Sequence, residues 1–298
     1  MYTEKDIEKL FGTEVLNYLK HKNAGGINSS KGNQYEDIFA VYQLGLLSRC
    51  AIECNKEIYF LSQCFAFVDD LIIDEKTDNV LRHFQLKNSL SVSWGEGNKS
   101  ICDDFQKQYT LNKSFSRQSE INLVVSSEKV RDKLAQNMPD IIITYSQVVY
   151  FSFEENLVKL INKDKNFRQA IEYLCAVDEP ELDKLECVAT VLLGAWITSN
   201  KSRTSVMDVI KKAQQSTPSY IRSFQKQLQL DPEVENIFNK IEGFTYKLTR
   251  GFLNWKFEDG LFEGTLPYSL EKDDFKRFQQ LIKKHKPTSF EELEVFLI

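Results

Sequence analysis

Val68-Asp69-Asp70-Leu71-Ile72-Ile73, then Asp74-Glu75-Lys76-Thr77-Asp78-Asn79, then Val80-Leu81-Arg82-His83-Phe84-Gln85-Leu86-Lys87: from these twenty residues the fold is read. An apolar run, a polar tip rich in turn formers and a second apolar run predict a β-hairpin. Two acids lie in the first strand. In the second, Gln85 and Lys87 are two residues apart and so share a face. Carboxylates, an amide oxygen and a lysine converging across paired strands have the chemistry to hold a divalent cation and steady an attacking water.

Outward from the hairpin on its N-terminal side, Ile7, Leu10, Phe11, Val15 and Leu19 recur at helical spacing and predict one amphipathic helix over Thr3–Lys20. Residues 23–33, dense in Gly, Asn and Ser, read as a loop: either a plain connector or a segment near a phosphate backbone. The loop lacks the Gly-Lys-Ser/Thr ending of a nucleotide cradle. From Gln34 the stripe Tyr35, Ile38, Phe39, Tyr42, Leu46 predicts a second helix. Glu36 sits in its first turn, where the helix dipole favours a carboxylate. It is either a simple helix-start acid or a group aimed at the same cation as the hairpin acids.

On the C-terminal side, strand-like content at 57–60 and 64–73 precedes the hairpin return, and Asn88–Lys99 is a polar loop. A short helix over Ile101–Tyr109, a buried strand at Ile121–Ser126, a helix over Glu128–Asn137 and one more strand or helix within 141–153 complete an α/β (α+β) core. After Phe153 helix signals follow one another: 154–162, 167–176, 181–198, 205–215, 219–228 and 231–241. Asp231-Pro232 and Glu179-Pro180 are helix-start pairs, and Ser289-Phe290-Glu291-Glu292 is a capping box for the last helix. Gly251–Leu266 is the one irregular part. Two domains are therefore expected, 1–153 and a mainly α-helical 154–298.

Composition bounds the function. A chain of 298 residues, 42% hydrophobic and 27% charged, can bury a full core. Its six cysteines are scattered. Cys50 and Cys54 have a zinc-like spacing, but no second pair complements them and the chain has only three His, so buried free thiols are expected. The first residues lack a basic and then apolar leader, and the run Cys187–Thr198 is too short to span a bilayer. A soluble, cytoplasmic protein without membrane association is expected. The net charge of −5 disfavours nucleic-acid binding by the whole surface, yet leaves room for a local basic cleft.

Glu36 on a helix, Asp69-Asp70 on a strand and Gln85-Leu86-Lys87 on the next resemble the PD-(D/E)xK restriction-endonuclease-like superfamily. The wider context adds to the likeness: Gly25-Gly26 and Gly32 before a Tyr35-Glu36 helix, the acid pair, a hairpin of this length, then Phe84-Gln85-Leu86-Lys87-Asn88-Ser89. It is similar to the double-strand DNA endonuclease effectors of bacterial anti-phage systems such as CBASS and Lamassu. The resemblance covers residues 24 to 130 and implies a restriction-endonuclease-like core that uses Mg²⁺ or Mn²⁺. Asp70 would be the main metal ligand, Gln85 the second ligand and Lys87 the catalytic lysine, with Glu36 completing the site. The second-ligand position is more usually Glu or Asp. A carboxamide oxygen is a neutral, weaker ligand for a hard cation, so the site loses one charge.

Plainer readings stand beside these. Asp69 and Asp70 have a lesser reading as a solvated edge-strand pair, with Lys87 a strand-end cation. By alternation Asp70 is the better ligand, Asp69 facing away unless a bulge re-aims it. His83 is a surface strand residue or a phosphate contact; Trp94 is a packing anchor or a base-stacking ring. Between Lys201 and Arg250 nine Lys/Arg stand against five Asp/Glu: a solvated face, a DNA-facing surface or a patch for an acidic partner. The expected function is a metal-dependent endonuclease acting on double-stranded DNA, an effector gated by other subunits of a defence complex. The helical part would serve docking or homo-oligomerisation. A non-catalytic scaffold on the same fold, or an RNA nuclease, are the alternatives.

Overall fold

A glycine divides the N-terminal helical region. In the computed structural model, α1 (Glu4–Phe11) is opened by reciprocal hydrogen bonds between Thr3 and Asp6, and closed at Gly12, whose φ is +84°. The expected single helix is thus two, α2 (Thr13–Gly26) following at once. The structure describes all residues except 1, 27–29, 63, 155, 226–228 and 298, and the side chains of 23–33 are also outside the description. The loop expected over 23–33 is helical on both flanks: α2 runs to Gly26 and α3 (Ser30–Glu53) starts at Ser30, while 27–29 lie outside the described residues.

The expected order of helix, hairpin sheet and alternating helix and strand follows. It runs β1 (Ile58–Leu61), β2 (Leu71–Glu75), β3 (Val80–Lys87), α4 (Ile101–Ser114), β4 (Gln118–Val125), α5 (Glu128–Gln136) and β5 (Ser146–Tyr150). The remainder is α6 (Leu157–Lys163), α7 (Lys165–Leu174), α8 (Leu182–Ile197), β6 (Thr204–Ser205), α9 (Val206–Ala213), α10 (Pro232–Phe238), β7 (Phe244–Thr249), β8 (Phe252–Phe257), β9 (Phe262–Thr265), α11 (Asp273–His285) and α12 (Phe290–Leu297). The protein is mixed α/β. A six-stranded sheet is ordered β5-β4-β3-β2-β1-β6. β1, β2 and β3 form an antiparallel meander, and β4 and β5 add in parallel through the crossover helices α4 and α5.

β3 is covered on both faces, which is why its alternation of apolar and polar residues does not mark a solvated side. Phe84 meets the Phe39 ring of α3 edge-to-face at 5.2 Å, and Phe39 also packs on Tyr42 and Phe151. His83, on the opposite face, meets Gln108 of α4. A further cluster under β4 gathers Val68, Trp94, Phe105, Ile121, Leu123 and Leu134.

The chain forms two compact units, and they do not divide at Phe153. One comprises 1–167 with 192–209, the other 168–191 with 210–298. Residues 192–209 return to the first because β6 pairs with the edge of β1, and Trp196 and Lys201 both bond Asp37 of α3. Such pairings are between residues more than a hundred positions apart and leave no local trace. The second unit is also not simply helical. The segment expected to be irregular, 251–266, belongs to the three-stranded sheet β7-β8-β9, whose first turn is the pair Arg250-Gly251 with φ of +55° and +83°. Two successive positive φ values make the tight turn that suits hairpin twist. Residues 219–225, expected in a helix, are extended or irregular, with Ile221 bridged to Cys175. The core of this unit centres on Val234, Phe238, Leu253, Phe275, Ile282 and Leu293. Among the described residues no helix is long and apolar enough to cross a membrane. Cys50 and Cys54, expected buried, are exposed, Cys50 in the last turn of α3 and Cys54 just past its end; all six thiols are free.

Phe39 is fully buried between three aromatic rings, so Phe39→Ala leaves a cavity with little scope for collapse. Urea unfolding of this variant is expected to show a loss of about 3–5 kcal/mol, with a smaller loss for Phe39→Leu, which keeps part of the volume.

Candidate active site

The register Leu71↔Phe84, continued one step, sets Asp70 across from Gln85. The Asp70 Oδ2 accepts the Leu86 N–H at 2.6 Å and a close hydrogen bond from the Gln85 side-chain amide. Its carbonyl accepts the Ser62 hydroxyl at 2.9 Å. Gln85 therefore points its N–H₂ end at Asp70. A half-turn of its terminal torsion presents the oxygen instead.

The acids ride on an irregular stretch, not on a strand: residues 64–70, expected to be extended, have no strand pairing and β2 begins at Leu71. Buried side chains hold that stretch in place. The Gln108 Oε1 accepts the Phe67 N–H at 2.9 Å and the Val68 N–H at 3.4 Å. The His83 Nδ1 lies 2.9 Å from the Val68 carbonyl, and its Nε2 faces the Gln108 amide nitrogen at 3.4 Å. The carbonyl requires a proton on Nδ1, which leaves Nε2 as the acceptor of the Gln108 N–H. Complete burial pushes the imidazole down to about 4, so His83 is neutral at pH 7. It is neither a surface residue nor a phosphate contact.

Because strand alternation does not govern 64–70, Asp69 does not face away. It is buried, and its carboxyl is pushed up to about 7, first by burial and then by Asp70 and Asp104, against the pull of Lys22 and Lys87. Glu36 is likewise pushed up to about 7, by burial first and then by Asp70, Asp37 and Asp69, with Lys87 opposing. The structure thus brings Glu36, Asp69, Asp70, Gln85 and Lys87 into one electrostatic neighbourhood. Sequence reasoning missed its outer members. The Lys22 Nζ, near the end of α2, donates to the Phe67 carbonyl at 2.5 Å and to Asp104 Oδ2 at 2.6 Å, and Tyr18 donates to the same oxygen at 3.1 Å. Burial raises Asp104 as well, against the pull of Lys22. Asp104, in the first turn of α4, carries no motif; only the packing of α2 on α4 discloses it. Trp94 is the packing anchor: it is buried, its ring meets Phe105 edge-to-face, and its Nε1 donates to the Leu134 carbonyl.

Five carboxylates (Glu36, Asp37, Asp69, Asp70, Asp104) crowd against three lysines (Lys22, Lys87, Lys201). Hard oxygen donors under mutual repulsion suit a hard divalent cation, which relieves the repulsion and favours the ionised forms. Among the described residues no three His, Cys, Asp or Glu side chains converge as a ready-made ligand set; Asp70, Gln85 and Glu36 are donors of the right chemistry. The basic excess expected over 201–250 is partly consumed by ion pairs, Lys201 on Asp37, Arg203 on Asp74 and Arg250 on Asp178. Comparison with protein-family models, curated proteins and solved structures returned no match.

The raised carboxyls carry a stability consequence. Between the ordinary carboxylate range near 4 and about 7, folded Glu36 holds a proton that the unfolded chain has released. By linkage this contribution to stability is full below pH ~4 and is lost as pH rises through about 7. In EDTA, Glu36→Gln is therefore expected to melt a few degrees above wild type at pH 7.5 and to match it at pH 5. A variant that melts lower at pH 7.5 would contradict the crowding described here.

Proposed function

We propose that this protein is a divalent-metal-dependent DNA endonuclease built on a restriction-endonuclease-like core. The observation that carries the reading is the meeting of Asp70 with Gln85 across β2 and β3, with Glu36 and Lys87 in the same electrostatic neighbourhood. Asp70, Gln85 and Glu36 would hold Mg²⁺ or Mn²⁺, which supplies charge neutralisation at the scissile phosphate and a more acidic water. Asp70 is oriented for this by the Leu86 N–H. Lys87, on the Gln85 face of the strand, orients the attacking water and offsets negative charge as it develops. Buried, neutral His83 and Gln108 hold the acid-bearing stretch rigid and take no proton.

Gln85 bears on control. With its N–H turned to Asp70 the amide does not present its oxygen to a cation, so ligation requires the amide to turn. We infer a site switched on by assembly with partner subunits, as expected of a defence effector acting on double-stranded DNA. The same hydrogen bond favours the second reading, a non-catalytic adaptor in which Gln85 and Asp70 are only a structural pair.

Plasmid cleavage with Mg²⁺ or Mn²⁺ separates them. Metal-dependent cutting is expected from wild type, with Asp70→Ala and Lys87→Ala each lowering it by at least a hundredfold. Toxicity on expression in cells is expected for wild type and not for either variant; equal behaviour of all three would leave the adaptor. Gln85→Glu replaces a donated hydrogen bond by a like charge beside Asp70. It is expected to lower the melting temperature in EDTA while shifting half-maximal cutting to lower Mg²⁺.

A further inference from the structure

The face of β3 that carries Gln85 continues through His83 to Leu81, which pairs with Asp74 of β2 in a second polar cluster. There Asp74 is buried and clamped from two sides. The Arg117 Nη2 donates to its Oδ1 at 2.6 Å and the Arg203 Nη1 to its Oδ2 at 3.0 Å. The Arg203 guanidinium lies 3.8 Å above the Tyr59 ring, and the Lys76 ammonium sits 5.7 Å from the same ring. These groups open onto a cavity of about 490 Å³, within the range of small-molecule sites. Tyr2 and Phe115, edge-to-face at 5.6 Å, form its aromatic wall.

Among the residues lining the cavity, Asp74 is the one carboxylate beside Arg117, Arg203 and Lys76, so the lining carries an excess of positive charge. Arginine forks match phosphate oxygens, and neighbouring aromatic rings match a planar base.

A buried relay joins the cavity to the candidate active site. The Tyr2 hydroxyl makes a close hydrogen bond to Asn112 Oδ1 and accepts from the Gln108 amide at 3.2 Å; Gln108 also donates to Asn112 at 2.9 Å. The other end of the same Gln108 side chain holds the Phe67 and Val68 N–H groups, directly before Asp69 and Asp70. A ligand that moves Tyr2 therefore acts on the stretch carrying both acids.

We propose that this cavity binds a phosphate attached to an aromatic base, the chemistry of a nucleotide, and that its occupancy is transmitted through Tyr2 and Gln108 to residues 67–70. The phosphate accepts from Arg117 and Arg203 with Lys76 at its rim, and the base packs on Tyr2 and Phe115. The ligand's source is either a free nucleotide or the phosphorylated end of a nucleic-acid strand.

Binding of AMP, adenosine and inorganic phosphate to the full-length protein is measured in EDTA, so that the result does not depend on metal chemistry or on the nuclease reading. AMP is expected to bind at least tenfold more tightly than either fragment. Lys76→Glu, at an exposed position, and Phe115→Ala are each expected to weaken AMP at least tenfold while melting normally. No AMP binding at millimolar concentration, or binding unchanged in both variants, overturns the site. Competition of AMP by a 5′-phosphorylated trinucleotide assigns the site to nucleic-acid ends; AMP binding without competition assigns it to free nucleotides. In hydrogen exchange, AMP is expected to slow the amides of 67–70 in wild type and not in Lys76→Glu. Unchanged exchange with AMP bound overturns the transmission.

Discussion

One buried side chain settles where the acids stand. Gln108 is fully inaccessible to solvent, and it spends its oxygen on two backbone N–H groups and its nitrogen on three neighbours. A stretch without strand pairing has no ladder to satisfy its amides, so a buried one needs a side chain to do so. Gln108 does this from α4, and His83 does the same for the Val68 carbonyl from β3. In a low-dielectric interior each bond is worth more and each missing bond costs more. This small network fixes residues 67 and 68, and through them the direction in which Asp69 and Asp70 leave the backbone.

Around that anchor the electrostatics run against stability. Carboxyls on α3, on the 64–70 stretch and on α4 converge with too few lysines to balance them, and burial raises Glu36, Asp69 and Asp104 together. Perturbed acids of this kind concentrate where a cation or a reacting group is to be handled. Gln85 moderates the tension, since a neutral amide donates to Asp70 where a second carboxylate would repel it.

Much of the first unit was legible locally. The hairpin is present and its return strand, 80–87, is as its pattern predicts, but its first strand is 71–75: residues 68–70 are not strand, and Asp74-Glu75, expected in the polar tip, are buried and paired in β2. The shared face of Gln85 and Lys87 follows from a period of two. The pairing of Asp70 with Gln85 is within reach of the same logic once register is counted back from a tight turn. Asp69 was misjudged because alternation was applied to residues that are not strand. His83 was misjudged because a face covered by α4 gives the same alternation as a solvated one. The β7-β8-β9 sheet was misjudged because its Phe, Trp and Gly content obscured two runs of strand length around Arg250-Gly251.

By itself the sequence determined the elements whose signals are local: the mixed α/β character, the hairpin, and the helices with caps or aligned apolar stripes. It also determined which candidate site residues share a strand face. Only the tertiary structure decided that α2 and α4 bring Lys22, Tyr18 and Asp104 to the acids, that β6 and Lys201 return to the first unit, and that Asp74 gathers Arg117 and Arg203 beside a cavity. The physical reason is one of range. Backbone geometry repeats every two or 3.6 residues and writes itself into neighbouring positions, whereas burial and charge depend on which distant segments pack together.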